Sequence, residues 1–314
     1  MSEPQAYVNG QFAPASQARL SVADAGFVQG TTIAEQMRTF GGQLFQLDRH
    51  IERLFRSLAI VEVDPAHSPQ QLAAIAKELV AHNHPLLATG DDLGLSMFVT
   101  PGMYSAMISG PSPPPTVVMH TFPIKFSSWA DKYRTGESLA TTDVEQVSTR
   151  CWPPELKCRS RMHYFLADKA ANRRFPGSRA LMLDEEGCVV EATTANVLIY
   201  RQDVGLVLPP AKKILPGISM AVLLELADRQ RIAHAERDIT PADVATADEV
   251  FLTSTSPCIL PVTQFNGQPI GQSPATRGRP GPIFTKLIAD WSQLVGIDIV
   301  GQAVQFAKRT EQRG

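Results

Sequence analysis

Two-residue turns constrain this chain more than any other local feature. In "YVNGQF" the pair Asn9-Gly10 stands between β-forming residues. In "TTIAEQMRTFGGQLFQL" a run alternating through Ile33, Glu35, Met37 and Thr39 turns at Gly41-Gly42 into Leu44 and Phe45. Such pairs accept left-handed backbone and close tight antiparallel hairpins. The first forty-six residues therefore read as strands and turns. Helical spacing takes over in "LDRHIERLFRSLAI", where Ile51, Leu54, Phe55 and Leu58 fall on one face behind Asp48 as the expected cap. A second helix opens at Ser68 as cap, with Pro69 at its first position. "LGLSMFVT" and "TVVMHTF" read as strands, and the proline-rich stretch Ser109 to Pro115 excludes regular structure.

Residues 124 to 135 are polar and irregular, and we place a domain boundary there, giving 1–127 as a small α+β domain and 128–314 as a larger one. Beyond it, "RALMLDEEGCVVEATTANVLIY" gives three short strands turned around "DEEG". "LPGISMAVLLELADRQ" is a helix entered through Pro216-Gly217, and Thr240 with Asp243 forms a capping-box variant. "EVFLTST" is a strand and "PIFTKLIADWSQLVG" the closing helix. The fold class is α+β in two domains.

A formal charge of −2 argues against a nucleic-acid or anionic-membrane binder. No run approaches the ~20 apolar residues that span a bilayer. The first thirty residues lack the pattern of a signal peptide. These features lead us to expect a cytoplasmic protein. Four cysteines are too few for a disulfide scaffold, and the spacing of Cys151, Cys158 and His163 matches no common zinc pattern, so we expect no metal and four small core cysteines.

Several segments can carry chemistry. Lys157 lies in an apolar-to-small stretch, where burial favours a neutral amine, the nucleophile of Schiff-base chemistry. A surface lysine after Pro153-Pro154 fits equally. Glu191 interrupts the strand run "VVEA" and, if buried, needs a proton-donating partner; an exposed edge position is the alternative. "LPGIS" presents the amides of Ile218 and Ser219 at a helix start, an anion cradle or an ordinary turn. Thr253 to Ser256 cluster hydroxyls at a strand end, suited to a phosphate, a carboxylate or solvent. Arg53 lies beside the apolar stripe of its helix, from where it can reach a phosphate; a solvated helix face is the alternative.

Taken in order, the segment with Glu35 and Arg38, "HIERL", Lys157, "VVEATTANVL", "LPGIS", "TSTS" and "NGQPIG" resembles the class IV pyridoxal-phosphate aminotransferases, from about Tyr7 to Leu294. That family includes branched-chain and D-amino acid aminotransferases, (R)-amine transaminases and aminodeoxychorismate lyase. The resemblance implies a fold-type IV enzyme with a small α/β N-terminal domain, a larger pseudo-barrel C-terminal domain, pyridoxal 5′-phosphate between them, and a homodimer. It makes Lys157 the Schiff-base lysine and Glu191 the acid paired with the pyridine nitrogen. Arg53, Ile218, Ser219 and Thr255 become the phosphate contacts. Ala34, Arg38, Phe98, Arg161, Met162 and Ser256 are placed at the substrate. The reaction expected first moves the amino group of an aliphatic or branched-chain L-amino acid to a 2-oxo acid such as 2-oxoglutarate. An aminodeoxychorismate-type elimination releasing pyruvate is the alternative, with D-amino acid or (R)-amine transamination beside it.

The sequence departs from the family at its substrate set. The branched-chain "YIRP" strand is "FVTP" here, with Phe98 and Thr100. A tyrosine five after the lysine is Met162, and "GITR" has become "GISM" with Met220. The loop "GMYSAMISGPSPPP" has neither the arginine nor the histidine of the D-enzymes, and Ser160 replaces an asparagine. Meanwhile Lys157, Arg159 and Arg161 stand at an apparent helix start, where cations oppose the helix dipole. We expect Arg161, with Arg159, His163 or Tyr164, to supply the missing carboxylate contacts; cations facing solvent or a partner protomer are the alternative.

Overall fold

A computed structural model describes residues 3–110 and 113–310, so Pro111 and Ser112 of the proline-rich stretch lie outside the described residues. The chain divides into two compact units, Met1–Ile124 with Leu156–Ser160, and Lys125–Glu155 with Arg161–Gly314. Lys157 therefore belongs to the first unit.

That unit contains β1 (Gln5–Val8), β2 (Gln11–Pro14), α1 (Ala25–Val28), β3 (Ile33–Phe40), β4 (Gln43–Leu44), α2 (Leu47–Ile60), α3 (Pro69–Asn83), β5 (Leu93–Thr100) and β6 (Thr116–Pro123). The strands form one antiparallel sheet in the order β2-β1-β6-β5-β3-β4. Val8 pairs with Gln11 around Asn9 (φ 48°) and Gly10 (φ 91°), and Phe40 with Gln43 around Gly41 (φ 56°) and Gly42 (φ 78°). Both central residues of each turn are left-handed, as the expected hairpins require. One sheet face packs Met37, Leu95, Met97 and Met119 against Leu54 and Leu58 of α2 and Leu72 of α3. Ser68 caps α3 in a full capping box with Gln71.

Two local expectations change. Asp48 is not the cap of α2: that position is Gln46, in left-handed backbone with no side-chain cap bond, and Asp48 stands in the first turn. A carboxylate there still favours the helix dipole. The opening stretch also includes the short α1, whose cap Asp24 accepts from the Gly26 amide.

The second unit contains α4 (Lys132–Thr135), β7 (Glu137–Thr141), α5 (Met162–Arg174), β8 (Arg179–Leu183), β9 (Val189–Ala192), β10 (Ala195–Arg201), β11 (Gly205–Leu208), α6 (Ile218–Arg229), β12 (His234–Glu236), α7 (Pro241–Ala245), β13 (Glu249–Ser254), β14 (Cys258–Phe265), β15 (Gln268–Pro269), α8 (Pro282–Val295) and α9 (Ile299–Thr310). Because β9 pairs with both β8 and β10, six strands close into a ring, β10-β13-β14-β7-β8-β9. Closure removes sheet edges and fixes which side chains share a face. The three strands around "DEEG" are β8, β9 and β10, and the Thr240–Asp243 box caps α7. The expected closing helix, α8, is followed by a further helix, α9.

Of the four free cysteines, Cys258 is buried, Cys158 and Cys188 are half-buried and Cys151 is exposed, so the expectation of four core cysteines holds for Cys258 alone. No described helix is long and apolar enough to cross a membrane.

Candidate active site

In the first unit, Leu156–Ser160 runs as a strand-like segment along β3. Ala34 N donates to Lys157 O at 3.0 Å and Arg159 N to Thr32 O at 2.9 Å, around an antiparallel bridge between Ile33 and Cys158. Lys157 N is tied to Ser57 Oγ of α2 at 3.1 Å. Leu156 and Cys158 pack against the core. By the two-residue alternation of a strand, Lys157 and Arg159 leave on the opposite face. There Arg159 Nη2 donates to Ser96 Oγ at 2.5 Å, and its guanidinium lies 5.5 Å from the Phe98 ring centre. The His120 ring is 6.4 Å from Phe98, and burial, helped by the Arg159 charge, holds its pKa below the usual imidazole value.

The three cations are therefore not grouped as the sequence suggests. Lys157 and Arg159 are not at a helix N-terminus; α5 begins at Met162, and Arg161 alone occupies the N-cap position, with no side-chain cap bond.

Behind this segment lies a buried ionic group. Glu35 accepts from Arg53 Nε at 2.7 Å and Nη2 at 2.8 Å, and from His50 Nδ1 at 2.7 Å. Burial by itself would raise the Glu35 pKa, yet the charge and hydrogen bonds of Arg53, with those of His50, outweigh it and hold the carboxyl at about 2. Burial also lowers the His50 pKa, a pull that Glu35 opposes and that the Arg53 and Lys157 charges reinforce. Arg53 is 3% exposed. It is thus fixed through one edge of its guanidinium rather than lying at the open margin of its helix.

Other expected substrate residues are placed differently. Arg38 is fully buried, with Nη2 3.8 Å from Asp92, Nε donating to Thr39 O, and its guanidinium 3.9 Å from the Phe40 ring centre. Asp92 also accepts from Thr39 Oγ1 and from the amides of Gly41 and Gly42. Arg38 therefore has a structural position, balancing the carboxylate that ties the hairpin turn. Thr100, where the branched-chain pattern has arginine, is buried and donates to Asp24 Oδ2 at 3.0 Å, as Thr116 does at 2.7 Å. Ala34 is buried opposite the half-buried Phe98.

In the second unit Glu191 is the centre. It lies on β9 opposite Met182 of β8 and Asn196 of β10 and is 5% exposed. Its Oε1 accepts from Leu215 N at 2.7 Å and Asn196 Nδ2 at 3.3 Å. Its Oε2 accepts from Tyr164 Oη at 2.9 Å and Gln146 Nε2 at 3.4 Å. Hydrogen bonds of this kind favour the ionised form of a carboxyl group. Burial, and then the Glu191 charge, push the Tyr164 pKa far up, so the phenol stays protonated and donates. The exposed edge-strand alternative for Glu191 does not hold.

Asn196 Nδ2 also donates to Leu215 O at 2.9 Å, fixing the loop into α6. That loop is pinned by Lys213, whose Nζ donates to Asp184 at 2.9 Å, Glu186 at 3.0 Å and Asp238 at 2.9 Å. Among the described residues Asp184, Glu186 and Cys188 form a group with metal-ligand spacing, and this ammonium already bonds its two carboxylates. The N-cap of α6 is Gly217, which provides no side-chain cap bond, so the first helical amides at Ile218 and Ser219 are left for an anion. A Cβ at Gly217 would overlap Asn196 Oδ1. Ile218 and Met220 are buried, while Thr255 and Ser256 are half-buried in the turn between β13 and β14. On the neighbouring strand, in register with Asn196, the buried Thr253 Oγ1 has no hydrogen-bond partner among the described residues. An uncapped helix start and an orphaned buried hydroxyl are what a phosphate-bearing group would meet here.

Tyr164 and Gln146 are not legible in the sequence as partners of Glu191. Tyr164 is expected near a substrate carboxylate, but its hydroxyl goes to Glu191, and its ring packs 4.1 Å from that of His163. Gln146 comes from an irregular segment with no motif around it. Met162 is largely exposed at the start of α5.

The signature of amino-transferase class IV matches residues 32–265, and the chain belongs to that family. The family is one of pyridoxal-phosphate-dependent transaminases, and the chain is such an enzyme. It is 31% identical over 281 residues to D-alanine aminotransferase of Bacillus licheniformis, covering 88% of this chain and 91% of that one. It is 29% identical over 269 residues to a putative branched-chain-amino-acid aminotransferase of Methanocaldococcus jannaschii, covering 84% and 88%. In fold it is similar to the branched-chain amino acid aminotransferase of Escherichia coli (TM-score 0.83, 21% identity, 94% of each chain). It is also similar to the branched-chain aminotransferase of the archaeon Thermoproteus uzoniensis with norvaline (TM-score 0.79, 23% identity, 94% of this chain and 96% of that one).

Proposed function

We propose that Lys157 is the Schiff-base lysine, that Glu191 holds the proton on the cofactor's ring nitrogen, and that Arg53, Ile218, Ser219 and Thr255 bind its phosphate. The observation that carries this reading is Glu191, a buried carboxylate that accepts hydrogen bonds from Leu215 N, Asn196, Tyr164 and Gln146. Such a group stabilises a cation placed against it. When bound, pyridoxal phosphate supplies an electron sink that weakens the bond from the substrate's Cα to its hydrogen. Lys157 Nζ then takes that proton and returns it, and the Ser57 and Ala34 backbone ties hold the lysine's strand in place.

The substrate pair in this proposal is an aliphatic amino acid and a 2-oxo acid such as 2-oxoglutarate. The branched-chain L-donor expected first is supported by the Methanocaldococcus relative. A D-amino acid donor is a second reading, supported by the relative from Bacillus licheniformis. A homodimer in the cytoplasm belongs to the same proposal. Large apolar side chains left exposed support the dimer: Val22 and Phe27 (77%) in the first unit, Phe165 (59%) and Leu166 in the second.

An absorbance scan of the purified protein tests it, adding L-leucine, D-alanine, an (R)-arylamine and aminodeoxychorismate singly without oxo acid. Loss of the long-wavelength cofactor band with growth of the pyridoxamine band identifies the donor and its handedness. Pyruvate released from the chorismate derivative alone identifies the elimination instead. Lys157→Ala should abolish the long-wavelength band; a retained band rejects the assignment.

A further inference from the structure

We propose that Arg159 recognises the α-carboxylate of the substrate, so that amino acids and 2-oxo acids are preferred over plain amines. The inference rests on Lys157 being the Schiff-base lysine. Its own support is the juxtaposition of the two side chains. Arg159 and Lys157 occupy alternate positions of one strand-like segment and leave on one face, their Cα atoms about 6–7 Å apart by strand geometry. Both side chains are long enough to converge on a small molecule. An α-amino acid presents its carboxylate one carbon from its nitrogen, so a group that meets lysine chemistry at one end must meet a neighbouring cation at the other.

The guanidinium is built into position rather than loose. Ser96 Oγ takes one of its five N–H groups at 2.5 Å, and the Phe98 ring lies beside it at 5.5 Å. Ser96 and Phe98 are successive outward residues of β5, paired with Gln36 and Ala34 of β3. Ala34 in turn donates to Lys157 O, so one set of ladder bonds fixes both cations. The residue is exposed while its tip is anchored. A planar guanidinium held this way is preorganised for two carboxylate oxygens, which lysine cannot match. His120, whose pKa is lowered by burial and by Arg159, adds no positive charge to the patch near neutral pH. Arg161, the residue expected first, sits at the N-cap of α5 in the second unit, and its side chain makes no cap bond there.

The test compares wild type, Arg159→Ala, Arg159→Lys and Ser96→Ala holoenzymes. Readouts are KM and kcat for the donor identified by the band shift, the rate of band loss with a plain (R)-arylamine, and the cofactor spectrum itself. We expect Arg159→Ala to raise KM for the amino acid by roughly 10- to 100-fold, the range of a lost charge-assisted pair. Arg159→Lys should recover part of the loss and Ser96→Ala should raise KM severalfold. Arylamine reactivity and the cofactor band should be unchanged. A KM within threefold of wild type overturns the proposal. So does an equal loss toward amino acid and arylamine, or loss of the cofactor band in Arg159→Ala, either of which makes the residue a support for the Lys157 strand. A wild type that reacts with the arylamine and with no amino acid overturns it too. A wild type without a cofactor band fails the underlying lysine assignment instead.

Discussion

Glu35→Gln isolates the buried ionic group behind Lys157. The native carboxyl sits at about 2 against an ordinary value of 4.5. At about 1.4 kcal/mol for each tenfold change in proton affinity, that depression corresponds to roughly 3–4 kcal/mol of folding stability at neutral pH. The independent expectation for removing one partner of a buried pair, about 3–5 kcal/mol, agrees. Because the folded pKa is depressed, this stability is present above the unfolded pKa. It fades as pH falls from about 4.5 and is gone once pH passes below about 2. At pH 7 the variant should therefore melt lower by roughly 6–16 °C, taking about 2–4 °C per kcal/mol. The gap between variant and wild type should shrink steadily below pH 4.5. The assay should be calorimetry or far-ultraviolet circular dichroism, since Trp129, Trp152 and Trp291 all lie in the second unit. Glu35→Met with Arg53→Met, which removes both charges, should be more stable than Glu35→Gln alone. A gap that stays constant between pH 6 and 3, or a loss under about 1 kcal/mol at pH 7, would refute the reasoning.

Three further outcomes follow from the second unit. Tyr164→Phe removes a donor 2.9 Å from Glu191 and should lower kcat about tenfold and alter the cofactor band, read by steady-state kinetics and absorbance. Gly217→Ala pushes a methyl into Asn196, which links Glu191 to Leu215 O; denaturant curves should show a loss of about 1–3 kcal/mol, and equilibrium dialysis a weaker hold on pyridoxal phosphate. Lys213→Met leaves Asp184, Glu186 and Asp238 facing one another, so its melting temperature should fall by several degrees, with much of the loss recovered by 1 M salt as the repulsion is screened.

The parts of this fold legible in the sequence are those whose causes are local. Asn9-Gly10 and Gly41-Gly42 demand left-handed backbone, and Ser68–Gln71 and Thr240–Asp243 satisfy each other's amides within one turn. Glu191 is legible as a candidate site residue because it breaks an apolar strand run, with burial and an exposed edge position both open until the fold is seen. Its donors are not, since Gln146 and Leu215 stand 45 and 24 residues away in sequence and meet it only when the strand ring closes. Asp48 fails as a cap for a related reason: the hairpin ending at β4 delivers the chain in left-handed backbone at Gln46, two residues earlier. The family resemblance puts Arg38 near the substrate, and the packing around Asp92 shows its buried ion pair.

The same distinction bears on position 100, where the branched-chain pattern has an arginine and this chain has Thr100. At the end of β5, Thr100 and Thr116 share the Asp24 carboxylate, which also caps α1, and the Thr100 methyl lies where a Cβ on Gly26 would have to go. An arginine at position 100 would have to displace a filled, buried hydrogen-bond network, so the branched-chain arrangement cannot be restored there by one substitution. On the same face of β5 lie the buried Ser96 and the half-buried Phe98, and neither carries charge. They do, however, form a small polar and aromatic platform, and a platform of that kind positions a cation delivered from elsewhere. Leu156–Ser160 delivers one, two residues beyond the lysine. Thr100 is tied to Asp24 and Arg159 to Ser96, so changes at the two should add in their effect on stability, the first acting through the Asp24 network and the second through the Ser96 contact.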